Sequence, residues 1–249
     1  MSGRWIACGV LLVVGLWSAP VTGALPLEER FAAAAAAYDA EDFTEAIRLY
    51  QQIRRDGFRA PALYFNLANA YYRQGDVGQA ILHYAKAQYL LPRDADIRGN
   101  LQFVLNDADA VYLPPTGWTR VWRWFTHTEW RALALAAWWL TMVGLCLKLW
   151  RRNNHYLLWA TTVTTALWIV ALMGVRYWGG LNDRPEVVVM QAGQEALFAP
   201  LAGSTPHFAL PKGSIARVNS TTDGWYRVRV GDRDGWIRQS AVAAINPLE

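Results

Sequence analysis

Between residue 25 and about residue 94 the chain alternates apolar and polar positions at helical spacing, and the pattern comes round twice at one fixed offset. Ala46, Ile47 and Tyr50 reappear as Ala80, Ile81 and Tyr84, and Tyr38 and Asp42 reappear as Tyr72 and Asp76, each 34 positions on. A unit of that length cannot bury its apolar face alone, so it stacks on its own copy. Two antiparallel helix pairs are therefore predicted, at about 27–60 and 61–94. Small residues such as Ala68 and Ala80 let the helices approach, Gly75-Asp76 turns the chain, and aromatic side chains fill the remaining gaps. A third helix at 95–110, with Leu101, Val104 and Leu105 on one face, caps the stack and completes a helical region over 25–112.

Pro114-Pro115 and Gly117 then break the pattern, which predicts a linker over 113–127. Thr126 with Glu129 three positions later has the spacing of a capping box that opens a helix. The runs that follow, 128–150 and 156–178, are almost wholly apolar, and about 20 residues suffice to cross a bilayer core. Arg131, Lys148 and Arg176 stand near their ends, where long cationic side chains reach the interface. The polar turn at 151–155 makes the two runs a membrane hairpin, so the segments before and after it share one side. Thr161, Thr162, Thr164 and Thr165 in the second run are expected to bond back to their own helix carbonyls.

From 184 to 249 the period changes to two, with glycine and proline between short runs, as in a small β-barrel. Strands are predicted at 186–190, 196–198, 214–218, 225–230 and 235–238. In the fourth, Tyr226, Val228 and Val230 share one face, and Trp225, Arg227 and Arg229 the other.

At the N-terminus, Arg4 precedes an apolar run from Trp5 to Trp17 and small residues ending at Ala24. Residues 1–24 thus have the form of a secretory signal, or of an uncleaved signal anchor, and both carry the following residues across the membrane. Charge agrees with a membrane setting. The chain is formally +4, but residues 25–115 hold twelve acidic against nine basic side chains and residues 184–249 are nearly balanced. The excess stands beside the apolar runs, so nucleic-acid binding is excluded as a reading. Ten of the fourteen tryptophans lie between Trp118 and Trp178, the composition of an interfacial belt. Cys8 and Cys146 offer no disulfide framework or metal site. His83, His127, His155 and His207 lack ligand spacing and are taken as surface or interface residues. No nucleophile, phosphate-binding or metalloprotease motif occurs, so the expectation is a non-enzyme without cofactor or metal.

Tyr64, Leu67, Ala68, Tyr71, Gly75, Ala80, Tyr84, Ala87 and Pro92 together resemble a tetratricopeptide repeat. Asp223-Gly224-Trp225-Tyr226-Arg227-Val228 and Asp234-Gly235-Trp236-Ile237 resemble bacterial SH3 domains, in which a short turn, here Gln239 to Val242, closes the barrel. The expected architecture is multi-domain: all-α tetratricopeptide helical repeats, a transmembrane helical hairpin and an all-β SH3-like barrel. That order of parts resembles the BatE family of Bacteroides aerotolerance operons. The segments Asp96 to Leu101 and Phe208 to Gly213 are similar to stretches at the same places in that family. The resemblance implies an inner-membrane protein with both soluble parts periplasmic. It implies partners among membrane proteins with von Willebrand A domains and a MoxR-type ATPase system, and a role in oxidative stress or envelope integrity. The loop Phe198 to Gly203 lacks the charged Arg-Ser-Gly-Pro stretch of many bacterial SH3 modules, which weighs against inherited cell-wall binding.

Protein-binding candidates follow from face and type. Asn66, Asn69 and Arg73 in the second repeat, Tyr38 in the first and Asn100 in the third helix fall on the face of the first helices, where such repeats hold peptides. Asn amides pair with peptide backbone and Arg73 with a carboxylate. Phe31 and Ala35 stand where a carboxylate-clamping repeat has Lys and Asn, so a receptor for C-terminal carboxylates is not expected. Trp225, Tyr226 and Trp236 either line a peptide groove or fill the barrel core. The function expected is an envelope scaffold; the alternative is a tether that grips peptidoglycan through the SH3-like domain.

Overall fold

The computed structural model describes residues 26–112, 114–115, 117–151 and 154–247; the expected signal segment lies outside the described residues. Five helices form the N-terminal stack: α1 (Leu27–Asp39), α2 (Phe43–Arg55), α3 (Pro61–Gln74), α4 (Val77–Leu90) and α5 (Ala95–Asp107). Their ends follow from the 34-residue offset. Asp42 and Asp76 cap α2 and α4 by accepting the backbone N–H of Glu45 and Gln79, and Asp94 does the same for Ile97 at α5. Gly75 ends α3 in the left-handed conformation, and Glu41 takes the same conformation one repeat earlier, where it costs a side chain about 1 kcal/mol or more. Tyr50, Tyr64 and Tyr84 with Leu63, Leu67 and Ile81 fill the stack.

The stretch expected as a plain linker contains a further helix, α6 (Trp118–Trp124). Seven residues have little intrinsic stability, so tertiary bonds hold it. The indole N–H groups of Trp130 and Trp178 donate to the carbonyl of Trp122 at 3.0 and 3.2 Å, and Trp178 also donates to that of Phe125 at 3.1 Å. These satisfy carbonyls that a helix end leaves unpaired.

The expected capping box is present: Thr126 and Glu129 bond reciprocally and open α7 (His127–Trp150). α8 (His155–Asp183) runs past the expected end at 178. Both are long and apolar enough to cross a membrane, and little of either is buried. They pack on each other through Trp130 and Ala134 against Ala171 and Trp178. Leu135, Trp139, Leu140, Leu149, Trp150, Trp159 and Leu167 are exposed. The threonines of α8 bond back to carbonyls three or four residues earlier, as expected. A Cβ on Gly174 would overlap the Trp130 ring. Gly174→Leu is accordingly expected to expel that indole from the hairpin and from α6. The loss should be about 2 kcal/mol, seen as a lower unfolding midpoint in detergent micelles and a shifted tryptophan emission.

The C-terminal region forms one antiparallel sheet of seven strands among the described residues: β1 (Glu186–Val189), β2 (Gln194–Leu197), β3 (Pro206–Leu210), β4 (Ile215–Thr222), β5 (Trp225–Val230), β6 (Arg233–Arg238) and β7 (Val242–Ala244). The order is β3-β2-β6-β5-β4-β1-β7, with β3 and β7 at opposite edges, so the closed barrel expected from the sequence is replaced by an open sheet. One face folds on itself around Val187, Val189, Phe208, Leu210, Val228 and Ile237. The other apolar demand is met outside the sheet. Val188, Ile215 and Ile245 join the core of the helical stack, so β1 is buried on both faces and reads Val187-Val188-Val189 without alternation.

The turn after β3 makes the junction. Lys212 pairs with Asp76 at 2.8 Å, at the start of α4. Gly213, with φ near +88°, leaves room for Ile81. Ile215 N–H donates to Val111 at 2.9 Å, and Val111 N–H donates to the Ser214 hydroxyl at 3.1 Å. The segment Phe208 to Gly213 is thus a strand and a docking turn.

Candidate functional site

The first helices of the stack, α1, α3 and α5, carry the face expected to bind protein. On it Tyr38 packs edge-on against Phe43, with centroids 5.5 Å apart, and the Arg73 guanidinium lies 5.0 Å from the same ring. Arg73 also pairs with Glu41 at 3.5 Å and stays half exposed. Tyr38 and Arg73 are therefore brought together through Phe43, which the sequence reading did not include.

Asn66 and Asn69 are half-buried. Asn69 is held from beneath, its Oδ1 accepting from the Tyr84 hydroxyl. Burial pushes the Tyr84 hydroxyl far above the ordinary phenol range, so it stays a donor at any physiological pH. With its carbonyl fixed by Tyr84, Asn69 has its amide N–H groups left to offer to a peptide carbonyl. Asn69 is thus positioned by the second helix of its repeat and presented by the first.

Asn100 bonds within its own helix, donating to the Asp96 carbonyl at 2.9 Å, and among the described residues it makes no side-chain hydrogen bond to the other candidates. The neighbouring aromatic is Phe103, 58% exposed, edge-on to Tyr72 at 5.8 Å, with the Tyr72 hydroxyl 3.2 Å from Asp107. Phe103 was not anticipated, although it lies one turn after Asn100 on the same face.

On the sheet, the three aromatic candidates divide. Trp225 is nearly buried, with the Arg238 guanidinium 4.8 Å above its ring. Trp225 pairs with Arg238 and Trp236 with Arg227 across β5 and β6, which places these two indoles on one face. Tyr226 is on the opposite face and packs on the sheet core.

His83, expected at the surface, is in fact buried at 4% exposure inside α4. Its ring is stacked between Tyr71, with centroids 5.3 Å apart and planes 2° apart, and Tyr64, at 5.9 Å and 19°. Two aromatic rings of α3 close over it, which is why a polar residue there is enclosed.

A helical-repeat stack of this kind suggests protein–protein interaction. The tetratricopeptide-repeat family model matches residues 61–94, the second helix pair. No curated protein matches the chain.

Proposed function

We propose that this chain is a membrane-anchored scaffold that holds protein partners on the open face of its repeat stack. The observation that carries the reading is the union of a tetratricopeptide repeat with a pair of apolar helices whose outer surfaces are left bare. Apolar area of that extent is costly in water and is at rest in lipid. The shared core between stack and sheet and the tryptophan bonds around α6 support a rigid head set directly on the anchor.

The resemblance to BatE proteins extends this reading to the bacterial inner membrane, with stack and sheet in the periplasm. The partners proposed are membrane proteins with von Willebrand A domains that work with a MoxR-type ATPase, in oxidative-stress tolerance or envelope integrity. The signal-like sequence at 1–24 supports that side of the membrane.

Two measurements test it. Alkaline extraction should leave the chain in the membrane pellet, and its release would end the anchor reading. Replacing Asn66, Asn69 and Arg73 together by alanine should cut partner recovery in a cross-linked pull-down by about tenfold or more, while the variant keeps its helical circular dichroism. An unchanged set of partners at unchanged yield would remove the groove from the account.

A further inference from the structure

Beside the groove lies a cavity of about 420 Å³ on the other side of α5. Its origin is the truncated repeat. A third pair would place a second helix against Leu101 and Leu105; here α6 and the edge of the sheet roof that surface without filling it. The volume is within the range of about 300–1,000 Å³ that holds small organic ligands.

Tyr89, Leu101, Leu105, Trp124, Trp178 and Ile215 form apolar wall. Two guanidiniums, Arg98 and Arg120, also line it, and neither makes a side-chain hydrogen bond or ion pair with any described residue. The remaining charges in the wall, Arg123 and Glu186, neutralise each other. Among the described residues the cavity is therefore apolar inside and carries two positive charges without a counter-charge. Trp124 ends α6 and Trp178 stands near the end of α8, so the wall includes the foot of the apolar hairpin. Tryptophan and arginine together mark the headgroup level of a bilayer.

We infer that this cavity binds one anionic phospholipid, an acyl chain on the apolar wall and the phosphate on Arg98 and Arg120. Guanidinium forks match phosphate oxygens in pairs, and apolar walls of this kind accept an alkyl chain. The inference rests on the anchor reading above, since the lipid enters from the bilayer around α8.

The test uses the full chain, purified in a neutral detergent, stripped of lipid and titrated with dioleoyl phosphatidylglycerol under native mass spectrometry. One retained molecule per chain is expected. Arg98→Gln with Arg120→Gln should weaken retention by at least about tenfold, the scale of one lost charge-assisted hydrogen bond. Both side chains are exposed and without protein partners, so this variant should keep the wild-type unfolding midpoint. Leu105→Trp, which fills the cavity, should abolish retention by a second route. Dioleoyl phosphatidylcholine should bind at least about tenfold more weakly, and inorganic phosphate at equal concentration should not compete, because the chain is part of the ligand. The inference is overturned by absence of the adduct, by equal retention in the double variant, by equal binding of the zwitterionic lipid, or by displacement with phosphate alone. Alkaline extraction of the membranes from which the protein is purified separates the two readings. Wild-type protein that stays in the pellet without an adduct sinks the cavity inference only, and protein that leaves the pellet sinks the anchor.

Discussion

Between about pH 7.5 and about pH 5 the protein is expected to lose about 2 kcal/mol of stability through His83 alone. The imidazole is enclosed between Tyr64 and Tyr71, and its Nδ1 has no hydrogen-bond partner among the described residues. Burial, followed by the positive charges of Lys86 and Arg54, lowers its pKa from 6.5 to about 3. The unfolded chain takes up a proton at this side chain below about pH 6.5, and the native state refuses it until about pH 3. Acid therefore favours the unfolded state across that window, at about 1.4 kcal/mol per pH unit, and the full stability is present only above it. His83→Phe keeps a flat ring between the two tyrosines and cannot titrate. Its unfolding midpoint in detergent should change little between the two pH values, whereas that of the wild type falls. At neutral pH the variant should be about as stable as the wild type or slightly more so, because an unpaired buried nitrogen has been removed. Equal acid sensitivity in both proteins would show that the imidazole is not the cause.

The elements that sequence reading located are those whose signal is local and repeated. The offset between Tyr38 and Tyr72 placed the first two helix pairs, and Asp42, Gly75 and Asp76 marked their ends by capping chemistry alone. The apolar runs on either side of 151–155 located α7 and α8, although α8 continues through Gly179 and Gly180, residues that locally favour a break. What escaped was set by long-range contacts. α6 follows two prolines and a glycine and is too short to show a period; it is held by indoles eight and 56 positions away. β3 begins at Pro206 and buries only Phe208 and Leu210, which is too few residues to declare a strand. Nothing beside His83 in the sequence announces that Tyr64 and Tyr71, 19 and 12 positions earlier, will enclose its ring. The candidate site shows the same division. Helical spacing put Asn66, Asn69 and Arg73 on one face, but the Tyr84 hydroxyl beneath Asn69 and the Phe43 ring beneath Arg73 are tertiary facts. The sheet remained open for a related reason: the apolar residues that closure would have enclosed, Val188 and Ile215, found cover on the helical stack.

That division between local and tertiary control leads to the second large effect, at the point where α8 passes into β1. Glu186 accepts from the Arg123 guanidinium of α6, and Arg217 of β4 approaches the same oxygen at 3.4 Å. Arg123 Nε also donates to the Tyr177 hydroxyl of α8 at 3.2 Å, so one side chain joins α6, α8 and the sheet. Arg123 and Glu186 are each about one-fifth exposed. Burial disfavours the Arg123 cation, but Glu186 and then Tyr177 outweigh it and hold the proton more tightly than usual. The net worth of such a pair is small, because desolvation offsets attraction, yet removing one partner strands the other. Glu186→Leu should therefore cost about 3 kcal/mol, since Arg123 is left with a phenol in place of a carboxylate. Arg123→Met should cost less, about 1–2 kcal/mol, because Arg217 still faces Glu186. The double variant Arg123→Met with Glu186→Leu should recover most of the loss, as an apolar pair of similar volume needs no counter-charge. Urea unfolding of the four proteins in detergent gives the cycle directly. Additive losses in the double variant would mean that the two side chains act separately and that the head is joined to the anchor by other contacts. A coupling of about 3 kcal/mol would identify this pair as the joint through which α6 and α8 set the position of the sheet, and with it the repeat stack that shares its core.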